Sequence, residues 1–480
     1  MAAVPGQVAT PPPAPLGGSV LRGIALDLRS EADVWRSGVR LPPGSLGPSL
    51  RHTRMIVDDP LGLLLEHERR FGPVFTTRVM HVPVVWAIGA EVTHQMLVTE
   101  FDAFEWRFGR FMDLWPLLGD GMLNIDGAYH REMRRLLLPA FHREQVAAVA
   151  DAMVEEAVAA VEALEPGTTL DAYRWARELA LRIALRALLG IDAGDHRERA
   201  LASAFERALR FHGEPVWRQV LRGPGTPYAR TLEARRELDR LVHDEIDERR
   251  RRGDHGAGVL GLLLGATDAD GRPLGARAVR DQTVTLLFAG HDTTTATLFF
   301  LLYELARAPR ARAALEAELD AAVGHAGRPA AQQLDGTALP VLERTLDETL
   351  RRYPPAWVGP RRATRNVELG GVPIPAGALV HYSSWATHHL AALHPDPFAF
   401  EPDRFRPERA AALPRGAYVP FGGGSRMCLG KRFGQTELRA LATVIVTRVR
   451  LDPLPGPALR VATTPTLGPR EPVAFGVAAR

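Results

Sequence analysis

One cysteine occurs among the 480 residues, in Phe421-Gly422-Gly423-Gly424-Ser425-Arg426-Met427-Cys428-Leu429-Gly430. A lone cysteine can form neither an intrachain disulfide nor a multi-cysteine metal site. By itself it reads as a small buried hydrophobe. Its neighbours change that reading. The glycine run lets backbone come close to something flat and large, and an arginine lies two residues upstream. The pattern predicts a helix over Leu429–Arg448, with the sulfur at its N-terminus, where free N–H groups and the dipole favour a thiolate. A thiolate in a glycine-rich bend is suited to be the axial ligand of haem iron.

Three more groupings precede it. Ala289-Gly290-His291-Asp292-Thr293-Thr294 interrupts a long apolar stretch. Gly290 leaves room for a diatomic molecule, and Asp292 beside Thr293 sets an acid next to an alcohol, a pair able to deliver protons. The local alternative for Thr293 is a hydroxyl bonded back to the carbonyl one turn earlier. Glu348-Thr349-Leu350-Arg351 places an acid and a base one helical turn apart. Most such pairs are exposed and weak. Phe400-Glu401-Pro402-Asp403-Arg404-Phe405 is a proline-punctuated loop.

Together these four segments resemble the cytochrome P-450 superfamily, the haem-thiolate monooxygenases, and the cysteine segment matches FxxGxRxCxG at every fixed position. The resemblance implies haem b (iron protoporphyrin IX) as cofactor, with Cys428 ligating iron and Phe421, Gly422 and Gly430 shaping the ligand loop. It implies that Ala289 and Gly290 face the haem and that Asp292 and Thr293 form the proton relay. His130 and Arg134, at i,i+4 on one helix, match propionate contacts, as do Arg361 and Arg426; a guanidinium fits a carboxylate well. Arg404 is expected to join Glu348 and Arg351 in a buried brace behind the ligand loop.

The resemblance further implies insertion of one atom of dioxygen into a small organic substrate, by hydroxylation or epoxidation. No flavin or iron–sulfur segment occurs in the chain, so electrons are expected from a ferredoxin or flavodoxin with its NAD(P)H-dependent reductase. Lys431, Arg432, Arg131, Arg135 and Arg143 are candidates for docking such an acidic partner. Two rivals stand beside this reading: a peroxygenase or oxidative coupling enzyme of the same fold, and a haem protein without enzymatic activity. Phe101, Phe104, Trp106 and Phe108, with Leu286–Ala289 and Ala356–Gly359, would line an apolar site for a terpenoid, fatty-acyl or steroid-like substrate; the bland reading is core packing. The chain departs from the family at Gly434, where relatives carry alanine, and at His388-His389-Leu390-Ala391. His381, His388, His389 and His394 fit no zinc spacing.

The elements that must position these residues read as mostly α with a small β region (α+β). The expectation is one large domain over 41–480, with haem between the central helix and the cysteine-ligand loop. A flexible Pro/Ala/Gly-rich segment (1–40) precedes it. Helical spacing marks Ala128–Leu138, Gln145–Leu164, Asp171–Leu189, Thr231–Arg252 and Arg307–Val323. Val74–Val79 and Pro83–Ile88 suggest a hairpin, and Val367–Leu369 and Ala378–Tyr382 short strands.

A hydrophobic fraction of 46% and a charged fraction of 24% are ordinary for a globular protein. With 59 basic and 56 acidic residues the charge is near balance, which argues against a nucleic-acid binder. The dense run Arg249–Arg252 reads as a solvated helix end. No signal peptide is recognisable, and Thr283–Ala308 is broken by His291-Asp292-Thr293-Thr294, so no membrane anchor is expected. A cytoplasmic monomer is the resulting expectation.

Overall fold

The computed structural model describes residues 20–47, 50–79, 82–107, 114–191, 194–214, 216–219, 221–253, 255–256, 258–268, 271–324 and 327–480. Its contacts fall into two compact units, one of Leu114–Glu343 with Leu429–Arg480, the other of Leu16–Asp113 with Arg344–Cys428.

The first unit is helical. Its axis is the helix Ala276–Arg307, buried on nearly every side, which is why its apolar residues are spread round the helix rather than striped and why Arg280, Asp281, His291 and Asp292 are buried with them. It packs most extensively on Ala172–Leu189. That helix starts where Asp171 accepts from the Arg174 N–H and stops at Gly190 in the left-handed region. Pro227–Arg252 starts at the Thr226 cap and ends at left-handed Gly253. Its arginine run is only partly solvated: Arg249 turns inward to Glu245 Oε1 and the carbonyls of Leu189 and His255. The helix after the cysteine is Lys431–Arg448. Val449–Pro453, Ala474–Ala479 and Thr169–Asp171 form a small antiparallel sheet.

The second unit carries a six-stranded sheet. Its order is Gly44–Ser45, Val74–Val79, Val82–Ala87, Leu379–Tyr382, Gly359–Ala363, Phe104–Glu105. Val85, Ala363, Val380 and Tyr382 join Leu369 and Ile374 in its core. The expected hairpin is present, with Val79 opposite Val82; its turn residues 80 and 81 lie outside the described residues. The reading of 1–40 as one loose segment is corrected over its second half. Val20–Arg36 is a helix; its Asp33 pairs with Arg362 at 2.6 Å, and its Ser30 hydroxyl donates to the Gly377 carbonyl. Polar side chains that reach 300 residues along the chain left no periodic signal. The other expected helices appear with ends moved by a few residues, as at Gly127–Leu137 and Arg143–Glu162.

Candidate active site

Cys428 ends a tight loop. Its backbone N–H donates to the Phe421 carbonyl at 2.9 Å, closing the turn. Gly422 and Gly424 take φ of +67° and +59°, which side chains rarely adopt. At Gly424 a Cβ would also lie 2.1 Å from the Leu97 carbonyl oxygen, so this glycine is required twice over. Cys428 is exposed. The helix begins at Lys431 with Gly430 as cap, not at Leu429, so the sulfur lies two residues before the cap and the dipole acts on it less than expected.

Behind the loop, the Glu348–Arg351 pair is fully buried. Arg351 Nε and Nη2 donate to Glu348 Oε2 and Oε1 at 2.7 and 2.9 Å. Its Nη1 donates to the carbonyls of His388 and Pro397, both at 2.9 Å. Glu348 Oε1 also accepts from the Glu401 N–H at 2.8 Å and lies 3.4 Å from Arg404 Nε. Arg404 donates onward to the carbonyl of Asp396 at 2.7 Å, itself the one non-glycine residue of positive φ among those described. Glu401 Oε2 lies 3.3 Å from Arg404 Nη2, so two carboxylates face the two guanidiniums, the balance a buried ion network needs.

Arg361 lies with its guanidinium carbon 3.7 Å from the centre of the Trp106 ring, and Arg426 at 5.7 Å. Trp106, expected to cover substrate, is thus a platform for two cations. Phe104 belongs to the sheet core, and Trp357 is buried with its ring edge on Trp385 at 6.0 Å, so core packing accounts for both. Phe101 is exposed, and Phe108 lies outside the described residues.

In the helical unit, Ala289, Gly290, Asp292 and Thr293 sit mid-way along Ala276–Arg307. Between Val279 and Leu302 only Leu286, Ala289, Gly290 and Thr293 are not buried. Their spacing is i, i+3, i+4, i+7, one stripe of a helix. An open stripe on an otherwise enclosed helix is where a ligand can lie. Leu287 and Phe288 face away from it and are buried.

Asp292 and Thr293 are adjacent in sequence but differently engaged. The Thr293 hydroxyl donates to the Ala289 carbonyl at 2.7 Å, the local alternative. Asp292 Oδ1 accepts from Arg177 Nη1 at 2.7 Å and Oδ2 from Thr466 Oγ1 at 2.6 Å. The two side chains therefore do not bond to each other. Arg177 is shared with Glu206 through Nε at 2.9 and 3.0 Å, and His291 Nε2 lies 3.3 Å from Glu206 Oε1. Burial would raise the Glu206 carboxyl, but His291 and Arg177 outweigh it and hold it at about 2. Burial, then Asp292, push the Tyr173 phenol up.

His130 is buried and Arg134 half-buried on Gly127–Leu137. Arg131, Arg135, Lys431 and Arg432 are exposed, and Phe141 joins the segments that carry them by an edge contact to Phe433 at 6.4 Å. Arg143, expected in the same patch, is instead paired with Asp335.

Sequence reasoning missed Arg177, Glu206, Glu437 and the bonding of His388. Arg177 and Asp292 are 115 residues apart, with no motif between them. Glu437 is fully buried; it accepts from the Thr294 hydroxyl at 2.9 Å, and burial pushes its carboxyl up to about 8 despite that bond. The donor set fits a flat iron macrocycle bearing carboxylates. It comprises one exposed thiol on a loop that glycines keep low and guanidiniums stacked on an indole. Among the described residues no group of three or more His, Cys, Asp or Glu is arranged to hold a metal ion by itself.

The family model described as "Cytochrome P450" matches residues 46–469. Cyclooctatin synthase of Streptomyces melanosporofaciens is 33% identical over 89% of this chain and 92% of its own. Cyclooctat-9-en-7-ol 5-monooxygenase of the same organism is 34% identical over 88% and 92%. A solved structure, "Retinoic acid bound cyanobacterial CYP120A1", aligns with a TM-score of 0.82 at 27% identity, covering 92% of this chain and all of the other.

Proposed function

On the premise that this chain belongs to the cytochrome P450 family and is a monooxygenase, we propose that it oxygenates a carbocyclic terpenoid, using haem b and electrons from a ferredoxin or flavodoxin with an NAD(P)H-dependent reductase. The observation that carries the site assignment is the Cys428 turn, closed on Phe421 and leaving the cysteine exposed. The terpenoid assignment rests on the relatives named for cyclooctatin and cyclooctat-9-en-7-ol, both matched over most of their length. No membrane-spanning helix occurs among the described residues. The reading is of a monomer acting in the cytoplasm.

Haem b, when bound, supplies the one-electron chemistry that activates dioxygen. The chain does the rest. Cys428 is the thiolate ligand, and the Phe421 carbonyl, Gly422 and Gly430 fix its loop. Arg361 and Arg426, pre-oriented on Trp106, pair with propionate, as do His130 and Arg134. Ala289 and Gly290, as small residues, leave room along the open stripe. Asp292, on exchanging Arg177 for a chain of waters from solvent, would take a proton from them and hand it to Thr293 Oγ1, while the Thr293 hydroxyl, turned from the Ala289 carbonyl, would give up its own proton into the stripe. The solvent-connected waters replace the proton that Asp292 received. Arg131, Arg135, Lys431 and Arg432 offer an acidic partner a basic face.

The test has two arms. Reduced protein with carbon monoxide gives the red-shifted Soret band of a thiolate ligand, and Cys428→Ala loses it; an unchanged band in the variant overturns the ligand. Carbocyclic terpenes and terpene alcohols displace iron-bound water and shift the spin state, and are oxygenated with NAD(P)H, ferredoxin and its reductase. Shifts with fatty acids or steroids alone overturn the substrate class.

A further inference from the structure

Two carboxylates share one guanidinium in the helical unit. Arg177 turns its Nε to Glu206, 2.9 Å from Oε1 and 3.0 Å from Oε2, and its Nη1 to Asp292 Oδ1 at 2.7 Å. The two acids stand on different helices, Glu206 on His196–Leu209 and Asp292 on Ala276–Arg307. Phe205 meets the His291 ring edge-on at 5.6 Å, and His291 Nε2 lies 3.3 Å from Glu206 Oε1. Consecutive residues of one helix thus face consecutive residues of the other, with Arg177 reaching in from the helix Ala172–Leu189.

The two seats differ. The Asp292 side chain is 1% exposed, that of Arg177 20% and that of Glu206 32%. Exposure rises along this series, so the guanidinium stands between the buried carboxylate and solvent. Glu206 takes the guanidinium through a nitrogen that Asp292 does not use. The bond to Asp292 can therefore open while Arg177 keeps a counter-charge, which a buried ion requires. Thr466 Oγ1 donates to the other Asp292 oxygen at 2.6 Å and holds the carboxylate in place meanwhile. Burial would raise the Glu206 carboxyl, but His291 and Arg177 hold it at about 2, so at neutral pH it is an anion and not a proton carrier.

We propose that Glu206 is a positioning residue for proton delivery: it is the second seat of Arg177, and keeps the guanidinium paired while Asp292 Oδ1 gives it up for water. The proposal rests on the relay reading above. Arg177 keeps its protons throughout. Asp292 takes its proton from the water that replaces Nη1, becomes an anion again on handing it to Thr293, and then receives Arg177 back. Without Glu206 the guanidinium has only Asp292 left of its two carboxylates, and stays on it.

The experiment compares wild type, Glu206→Gln, Asp292→Asn and the double variant as holoenzymes. Either carboxylate alone keeps Arg177 paired, so without substrate the double variant is expected to lose more in melting temperature than the two single losses together, by at least about 3 °C. Additive losses overturn the proposal, since Glu206 is then no alternative seat. This arm needs no substrate and can overturn the proposal whichever compound the site accepts. In turnover of cyclooctat-9-en-7-ol, Glu206→Gln keeps the haem content and the spin-state shift, loses at least about tenfold in product formation, less than Asp292→Asn, and shows a raised solvent isotope effect. Glu206→Asp, which keeps the charge, recovers part of the rate. A wild-type isotope effect in Glu206→Gln beside an impaired Asp292→Asn overturns this proposal and leaves the relay standing, even where Glu206→Gln melts lower, because Glu206 is then structural support only. If Asp292→Asn itself turns over as wild type, the relay reading fails and the second seat with it.

Discussion

Arg177 on the helix Ala172–Leu189 donates to Asp292 on the central helix across 2.7 Å, and the carboxylate it holds is 1% exposed. Removing one partner of such a pair leaves the other charge buried, a loss of about 3–5 kcal/mol. Arg177→Leu is therefore expected to destabilise strongly, and Arg177→Leu with Asp292→Asn to recover most of the loss. A double-mutant cycle in urea measures the coupling; additive losses would show that the two do not act as a pair.

Asp292→Asn alone tests the chemistry. It keeps the shape and the Thr466 hydroxyl contact but removes the charge. Haem content and substrate-induced spin shift should stay, product formation should fall at least about a hundredfold, and the solvent isotope effect should rise. A wild-type isotope effect with wild-type turnover would place proton delivery elsewhere.

Thr293 is bonded to Ala289 in the helix, as are Thr295 to His291 and Thr297 to Thr293, so helical back-bonding explains its hydroxyl without catalysis. Its partial exposure on the stripe is what separates it from buried Thr295 and Thr297. Thr293→Ala should divert electrons to peroxide and lower product per NAD(P)H, while Thr293→Ser should restore coupling. Coupling at wild-type level in Thr293→Ala would leave only the structural role.

The local parts of this site were legible and the distant parts were not. The glycines, arginine and cysteine of 421–430 lie in one short stretch, and their order alone states the loop. Glu348 and Arg351 were visible as a pair, but their burial depended on the carbonyls of His388, Pro397 and Ala399, which carry no side-chain signal. Arg177, Glu206 and Glu437 meet their partners only through helix packing. The aromatics misled for the same reason: Phe104, Trp106 and Trp357 look alike in sequence whether they face a ligand, a cation or a core.

Stability should peak near neutrality. Burial lowers His67, His212, His388, His389 and His394 below 6.5. The unfolded chain takes up protons near 6.5 that the folded chain refuses, so stability present above 6.5 is lost as pH falls. Glu437 acts oppositely. Its folded carboxyl at about 8 keeps a proton that the unfolded chain releases above about 4.5, so its contribution is lost as pH rises toward 8. Each proton changes stability by about 1.4 kcal/mol per pH unit. The melting temperature should rise steeply to about pH 6.5 and decline gently above it, and Glu437→Gln should abolish the decline. Parallel profiles for the two proteins from pH 6.5 to 8.5 would mean that Glu437 is ionised throughout.

His388 connects the brace to the approach of the ligand loop. Its Nε2 accepts the Val419 N–H at 2.9 Å, which leaves Nδ1 to carry the proton and donate to the Arg351 carbonyl at 3.2 Å. The ring is fully buried, and burial, then His394, His389 and Arg351, keep it neutral. Protonation would place an N–H against the Val419 N–H, so the link holds only for the neutral ring. Val419 precedes the Phe421 carbonyl that closes the Cys428 turn by two residues, so strain at Val419 is passed on to the loop. His388→Phe fills the space but orphans a half-buried N–H and a buried carbonyl, a loss of about 1–3 kcal/mol for the carbonyl and less for the N–H; His388→Asn can still serve one of them. The expected order of melting temperature and of haem retained through gel filtration is wild type, His388→Asn, His388→Phe. The reduced carbon monoxide complex of the phenylalanine variant should show part of its Soret band moved to the position of a lost thiolate. A thiolate-type band of full intensity in His388→Phe, with a melting temperature within about 2 °C of wild type, would show that the loop is held without this histidine.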